Sequence, residues 1–233
     1  MRRARFPFLK KFAILRRGRA GSFTGGTRRT RLIKDNTMQQ LTAAPTLIVQ
    51  QKKEWAEILV DFESRNKYAV SHASGQQLYW AAEESSLLAR MVLHALRPFK
   101  IHLFSMSGQP VMNIVKPFRF YFHEAEIYDA AGRLLGGVKR EFSILTKKFT
   151  ITDPSGGTLY DVCAPVLHPW TFKLSKNGAE DGAIVKQWSG LAKETFTDAD
   201  NFSVTFPQDA DTDKKAVLLG ALFLIDMVYF ENK

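Results

Sequence analysis

The pattern of apolar and polar residues repeats along most of the chain from residue 66 onward. A short alternating apolar run leads into a turn with Ser, Asp or Asn shortly before Gly, and a second apolar run follows. Alternation with period two indicates a strand, and a turn glycine indicates a hairpin loop that needs a positive φ. Five such units predict ten antiparallel strands, with turns at Gly75, Gly108, Gly132, Gly156 and Gly178.

Three further segments do not belong to these hairpins. EESSLLARMVLHAL lies in the one long interval between turn glycines, and its periodicity predicts a helix. QQKKEWAEILVDFES, which begins at Gln50, fits a short helix or a strand equally well. In NFSVTFP, Phe202, Val204 and Phe206 alternate with Ser203 and Thr205, which predicts one more half-buried strand that ends at Pro207.

The last apolar run, AVLLGALFLIDMVYF, contains Asp226 as its one charged residue. A helix that is apolar all round must be buried on every side, in a protein core or in lipid. A membrane-spanning helix needs about 20 apolar residues, and this run is shorter. We therefore predict a core helix over residues 215–231, enclosed by the strands, since a barrel of about a dozen strands has room for one.

The basic charge of the chain is concentrated at its start. Residues 1–34 carry twelve basic side chains and no acidic one, so of the 33 Lys and Arg only 21 remain, against 23 acidic residues. The rest of the chain has no basic excess for a nucleic-acid surface, and no nucleic acid is predicted as a partner. We divide the chain into an Arg-rich extension, 1–37, and a domain, 45–233.

The extension permits three interpretations. Phe8, Leu9, Phe12 and Leu15 have helical spacing among basic residues, as in a mitochondrial presequence or a helix on an anionic membrane surface. A disordered tail is the third. The expected location is therefore a membrane, either mitochondrial or the cytoplasmic face of another, with anionic lipid as the partner of this segment.

No residue pattern indicates an enzyme. Cys163 is the single cysteine, so it forms no internal disulfide, and no base is evident beside it. The five histidines are scattered without metal-ligand spacing, and no Gly-x-Ser-x-Gly motif is present. Asp198-Ala199-Asp200 fits the Asp-x-Asp pattern of metal-dependent transferases, but no glycine-rich phosphate loop accompanies it.

The segment from residue 182 to residue 231 resembles the phospholipid scramblase family. It has a Lys-x-Trp-x-Gly element, then FTDADNF, then FP-x-D-x-D, then an apolar helix containing Leu-Ile-Asp. The matching positions are Lys186, Trp188, Gly190, Phe196, Asp198, Asp200, Asn201, Phe202, Phe206, Pro207, Asp209, Asp211, Gly220 and Asp226. DPSGGTLYDV and YDAAGRLLGGV resemble the family's hairpins, so the resemblance extends over roughly residues 66 to 231.

The resemblance implies a mainly β fold, the tubby-like one, in which a twelve-stranded antiparallel barrel encloses a hydrophobic C-terminal helix. It also implies calcium-stimulated, ATP-independent, bidirectional movement of phospholipids between leaflets. The alternative is a tubby-like module that binds anionic membranes and transports nothing, since a fold does not specify transport. If the helix is sealed inside, transport requires its exposure or an oligomer.

The family's calcium segment corresponds to Asp198, Asp200, Asp209 and Asp211, whose carboxylates suit a hard cation. The match to an EF-hand loop is poor, because Phe202 stands at the fifth position and the following residues alternate as a strand. A weak Ca²⁺ site and a set of solvated turn and helix-cap carboxylates are both consistent with the sequence.

Two more points concern this chain in particular. The family's palmitoylated cysteine cluster is missing, which puts anchoring by a thioester in doubt and leaves the basic N-terminal segment as the expected anchor. Asp226 lies within the apolar helix, where a carboxylate must be paired or protonated. Its two interpretations are a paired core charge and part of a headgroup or proton path.

Overall fold

The structure, a computed structural model, describes residues 38–52, 66–84, 96–187 and 201–230. Twelve antiparallel strands form a closed barrel in which each strand pairs with its neighbours in sequence and β1 pairs with β12. The strands are β1 Thr46–Lys52, β2 Lys67–His72, β3 Gln77–Glu84, β4 Phe99–Ser105, β5 Pro110–Lys116, β6 Glu124–Asp129, β7 Leu134–Glu141, β8 Thr146–Thr152, β9 Thr158–Pro165, β10 Thr171–Lys176, β11 Ala179–Gln187 and β12 Asn201–Thr205.

All five predicted hairpins are confirmed. Each turn glycine has a φ between 75° and 90°, a range that residues with a Cβ rarely adopt. In the first four hairpins the register shifts by one residue beside the turn, for example between Val70 and Ser71. This combination is a three-residue hairpin loop with a glycine bulge, which adds twist and helps the sheet to close. The fifth turn has two residues, Asn177 and Gly178, both at positive φ, as in a type I′ turn.

The last predicted strand is also confirmed as β12, in which Phe202 and Val204 are buried. The strand ends at Thr205, two residues before the predicted end at Pro207, and the buried Phe206 follows it. Its partner β1 closes the barrel, with Thr46 opposite Thr205 and Val49 opposite Phe202.

Two sequence-based assignments need correction. The strand predicted as one option from Gln50 begins four residues earlier, at Thr46, because Leu47 and Val49 alternate into the core. The predicted helix EESSLLARMVLHAL starts too early, since Glu83 and Glu84 pair with β4 at the end of β3. The other residues of both predicted segments lie largely outside the described part of the chain.

The C-terminal helix runs over Thr212–Tyr229 through the barrel, and its thirteen residues from Lys215 to Met227 are all buried. The prediction of an enclosed helix is confirmed, but its bounds were wrong at the start. Asp211 accepts a hydrogen bond from the backbone N–H of Lys214 and caps the helix, so the helix begins three residues before Lys215. Phe230 follows as the C-cap, and Glu231 lies outside the described residues.

The helix lies close to β6 and β7 because glycine removes a side chain at the contact. A Cβ on Gly220 would lie 2.5 Å from Cγ1 of Ile127, and a Cβ on Gly136 would lie 2.9 Å from Cγ2 of Val217.

The ammonium group of the buried Lys215 finds its hydrogen-bond partners at the end of a short helical segment, residues 38–43. Its Nζ donates to the carbonyl oxygens of Thr42 and Ala44, at 2.8 Å each.

Candidate functional site

The barrel has two chemically different ends. The five glycine hairpins and the start of the C-terminal helix lie at one end, which we call the turn end. The β5–β6, β7–β8 and β9–β10 loops and the end of the helix lie at the other, which we call the loop end.

The acidic segment after β12 lies at the turn end. Asp209 accepts hydrogen bonds from Nζ of Lys176 at 2.5 Å and from the hydroxyl of Tyr160 at 2.6 Å, and Nζ of Lys214 is 3.9 Å away. The Lys176 bond, then the Tyr160 bond, hold the pKa of Asp209 below its usual value. The same carboxylate raises the pKa of Tyr160, after burial as the larger cause.

The two neighbouring carboxylates also have partners. Asp211 caps the helix and has Nζ of Lys214 at 3.7 Å. Asp213 accepts two hydrogen bonds from the guanidinium of Arg133, at 2.7 and 3.1 Å, and this pair raises the pKa of Arg133. These contacts tie the helix start to the β6–β7 hairpin.

In this conformation, the carboxylates of Asp209 and Asp211 do not form an open set of oxygen ligands for a calcium ion. The ammonium group of Lys176 occupies the position beside Asp209 that a cation would take, so Ca²⁺ binding there would require displacement of Lys176. Asp198 and Asp200 lie outside the described residues, and the calcium site stays a prediction. Within the described ranges, no three His, Cys, Asp or Glu side chains lie close enough to hold a metal.

A buried polar network lies inside the barrel toward the loop end. Arg97 and Glu83 form an ion pair at 2.8 Å with side chains 2% and 0% exposed. The amide of Asn66 donates to the other oxygen of Glu83 at 2.6 Å. Lys116 donates to the carbonyl oxygen of Arg97 at 2.9 Å, so the charges are compensated by hydrogen bonds.

Burial and the charge of Arg97 lower the pKa of Lys116 to about 8. Sequence reasoning missed this network. Its members come from four separate segments, and only the closed barrel brings them together.

Asp226, the charged residue of the apolar helix, is 2% exposed and accepts a hydrogen bond from the hydroxyl of Tyr68 at 2.9 Å. Asp226 was predicted to be paired or protonated, and a tyrosine from β2 serves here as a hydrogen-bond donor. The bond links the helix to the strand next to β1 and fixes the helix register, which favours the structural interpretation of Asp226.

Basic side chains from three strands surround the end of the helix. Nζ of Lys147 lies 4.4 Å from the ring centre of Tyr229, and Nζ of Lys186 lies 4.2 Å from that of Phe230. Arg140 lies 5.2 Å from the Tyr229 ring. The last helical turn has no basic residue of its own, so these strand residues compensate the negative end of the helix dipole.

His123 precedes β6 at the loop end and is 4% exposed. Its Nδ1 has no hydrogen-bond partner among the described residues. Burial, then the charges of Lys116 and Arg140, lower the pKa of His123 to about 4. The imidazole is therefore neutral near pH 7.

None of the helices in the described ranges is long and apolar enough to cross a membrane.

Comparison with known proteins gives consistent results. A family model described as Scramblase matches residues 27–232. Phospholipid scramblase 1 of Rattus norvegicus is 35% identical over 84% of this chain and 62% of its own length. Phospholipid scramblase 2 of Bos taurus is 33% identical over 83% of this chain and 71% of its own.

The corresponding scramblase 1 of Mus musculus is matched over 64% of its length, so the chain spans less than two thirds of both rodent proteins. A solved structure of an Arabidopsis thaliana protein aligns with a TM-score of 0.44 and 17% identity, over 79% of this chain and 94% of that one.

Proposed function

The chain belongs to the phospholipid scramblase family, and on that premise we propose that it associates with membranes and moves phospholipids in both directions between leaflets without ATP. The observation that carries the proposal is the continuous family match over residues 27–232. That match takes in the complete barrel, the acidic segment and the enclosed helix.

A dithionite assay tests transport directly. Purified full-length protein is reconstituted into vesicles that contain fluorescent NBD-phospholipid in both leaflets, and dithionite is added outside without ATP. Transport exposes the inner-leaflet lipid, so the fluorescence should fall well below the half that an impermeable vesicle protects. Protection of half the signal, with protein shown to be inserted and with calcium present, would refute transport.

The alternative is a membrane-binding module that transports nothing. The enclosed helix favours it, because every residue from Lys215 to Met227 is buried and the helix offers no face to lipid. Under this alternative the protein binds vesicles while half of the fluorescence stays protected. Transport instead requires that lipid moves along the outer surface of the barrel, that the helix is exposed, or that several copies assemble.

We also propose that calcium stimulates the transport and that Asp198 and Asp200 are its ligands. Asp209 and Asp211 already have lysine or backbone partners, which makes these two carboxylates less available to a cation. With few carboxylates and no Glu between Asp198 and Asp213 to chelate, the dissociation constant should be about 10⁻⁴ to 10⁻³ M.

Calorimetric titration checks the calcium proposal. The double variant Asp198→Asn with Asp200→Asn should lose the calcium heat, whereas the control Asp211→Asn should keep it. Wild type without a binding heat up to several times that concentration would remove calcium from the proposal.

The basic extension, residues 1–37, is the proposed contact with anionic lipid or, alternatively, a mitochondrial presequence. Sequencing the N-terminus of the native protein by mass spectrometry separates these two roles. A mature chain that starts after residue 37 supports the presequence, and an intact one supports the surface contact.

A further inference from the structure

Exposed apolar side chains are concentrated in three loops. The described residues include eleven large hydrophobic side chains that are exposed, and ten of them lie in the loops 117–123, 142–145 and 166–170. The ten are Phe118, Phe120, Tyr121, Phe122, Phe142, Ile144, Leu145, Val166, Leu167 and Trp170. The eleventh, Met106, lies in the β4–β5 hairpin at the turn end. Such concentration is uncommon on a protein surface without a binding role.

The barrel topology places these loops side by side. They join β5 to β6, β7 to β8 and β9 to β10, and β5 to β10 are consecutive neighbours in the sheet. All three loops therefore lie on one arc of the loop end. Each contributes at least one side chain that is almost fully exposed: Tyr121 is 81%, Ile144 is 85% and Leu167 is 87% exposed.

Ring, backbone and side-chain contacts give the first and third of these loops defined shapes. In the first loop, Phe118 and Phe120 pack edge to face with ring centres 5.5 Å apart. In the third, the N–H of His168 donates to the carbonyl oxygen of Pro165, and Nζ of Lys147 donates to that of Pro169. The outermost apolar side chains therefore project from loops in which some backbone groups already form hydrogen bonds within the protein.

The balance of charge differs between the two ends. Near the loop end, the strands bring Arg140, Lys147, Lys148 and Lys186 close to the apolar loops, with Glu124 and Glu141 among them. At the turn end, carboxylates outnumber the cations Arg133, Lys176 and Lys214; these carboxylates are Asp129, Asp153, Asp181, Asp209, Asp211 and Asp213. Cations next to exposed aromatic and aliphatic side chains suit the boundary between lipid headgroups and acyl chains, where aromatic rings bury their apolar part and cations meet phosphate.

We propose that the loops 117–123, 142–145 and 166–170 form a docking tip that inserts into the interfacial layer of a phospholipid bilayer. The apolar side chains enter the acyl boundary, and the basic residues meet anionic headgroups. This orients the barrel with its loop end on the membrane and its acidic turn end in water. The inference rests on the proposed function for its choice of lipid as the occupant, and it deepens that function by naming the contact surface.

Site-specific labelling tests the orientation in the full-length protein. Since Cys163 is the single cysteine, Cys163→Ser gives a background without thiols. NBD is attached at Leu167→Cys in the tip or at Met106→Cys at the turn end. With vesicles of phosphatidylcholine and phosphatidylserine, the probe at position 167 should shift to the blue and be quenched by lipids with brominated acyl chains. The probe at position 106 should not respond. Equal responses, or a response at position 106 alone, would overturn the proposal.

Variants of the tip test its contribution to binding. Tyr121→Ser, Ile144→Ser and Leu167→Ser are combined, one from each loop, and Met106→Ser is the matched control. Vesicle flotation is measured in about 1 M salt, where the Debye length is about 3 Å and the basic extension is screened. The combined variant should bind at least about tenfold more weakly, because three large apolar side chains no longer leave water. The control should bind as wild type does.

Two further measurements distinguish failure of the docking tip from failure of the proposed transport function. An unfolding temperature close to that of wild type shows that the combined variant is folded. This result is expected because the three substituted side chains are almost fully exposed. Flotation of the variant as strong as that of wild type refutes the docking tip, whatever the dithionite assay reports about transport. If light scattering shows a wild-type dimer that the variant loses while flotation is unchanged, the loops bind a second copy and the lipid proposal is wrong. Loss of flotation with transport absent in both proteins supports the tip and refutes only the scrambling function.

Discussion

Acidification should destabilise the barrel through His123. The imidazole is 4% exposed, and burial and the charges of Lys116 and Arg140 lower its pKa to about 4 from the ordinary 6.5. The unfolded chain therefore binds a proton in a range of pH where the folded protein does not. Stability from this group is fully present above pH 6.5, falls as the pH drops, and is lost by about pH 4.

The size of the effect follows from the shift. A shift of one unit corresponds to about 1.36 kcal/mol, so the full difference is about 3 kcal/mol, and by about pH 5 roughly 2 kcal/mol of it is lost. For a domain of 150 to 250 residues, about 1 kcal/mol changes the midpoint of thermal unfolding by about 2–4 °C. The expected contribution of His123 is thus a decrease of about 4–8 °C between neutral pH and about pH 5.

Thermal unfolding of wild type and His123→Gln as a function of pH separates His123 from the carboxylates. Both proteins share the same Asp and Glu residues, so their difference reports the imidazole. On acidification, the unfolding temperature of wild type should decrease more than that of His123→Gln. His102, which hydrogen-bonds Asn113 and Glu84 nearer the surface, provides the control His102→Gln. Parallel curves for wild type and His123→Gln would show that the imidazole is not held neutral by burial.

Three other predictions concern the helix contact, the buried network and the basic extension. Gly220→Ala should lower the free energy of unfolding by about 1–3 kcal/mol, because the new Cβ would lie 2.5 Å from Ile127, and the same change in an Ile127→Ala background should cost nothing. Glu83→Ala should cost about 3–5 kcal/mol in urea unfolding because it leaves Arg97 buried without its ion pair; a cost no larger than that of an exposed pair would contradict this. Deletion of residues 1–34 should remove the salt-dependent part of binding to phosphatidylserine vesicles and leave the unfolding temperature unchanged; equal salt dependence would contradict it.

The hairpins were predictable because two independent local signals coincide in each. Strict alternation identifies both strands, and a glycine such as Gly108 or Gly156 identifies the loop conformation. The enclosed helix was predictable for a similar reason, since its apolar surface on all sides requires a surrounding sheet. In contrast, β1 was placed too late. Its second half, Gln50–Lys52, is polar, and its first half is a short continuous apolar run, Leu47-Ile48-Val49, that shows no alternation in the sequence.

The chemistry at the two ends was less accessible to sequence reasoning. Asp209 reads as a metal ligand in a run of carboxylates, yet its partners Lys176 and Tyr160 come from β10 and β9, more than thirty residues away in the chain. Phe120 and Tyr121 belong to no motif of the sequence, and both are exposed. Whether an apolar residue faces the core or water depends on where the strand ends, and the boundaries of elements are the least reliable part of a sequence-based assignment.

The arrangement of polar groups also limits how lipid can move. The helix is sealed by the strands, and Asp226 is bonded to Tyr68 within the barrel, so the interior offers no continuous path for a headgroup among the described residues. The exposed apolar side chains and the cations instead lie on the outside of the loop end. Under the proposed docking, insertion of such a tip would displace headgroups and disturb acyl packing in one leaflet, which would lower the barrier for lipids beside the barrel rather than within it. The proposed transport should then depend, in the dithionite assay, on the tip residues and on the number of copies per vesicle. It should be indifferent to substitutions that keep the barrel interior packed.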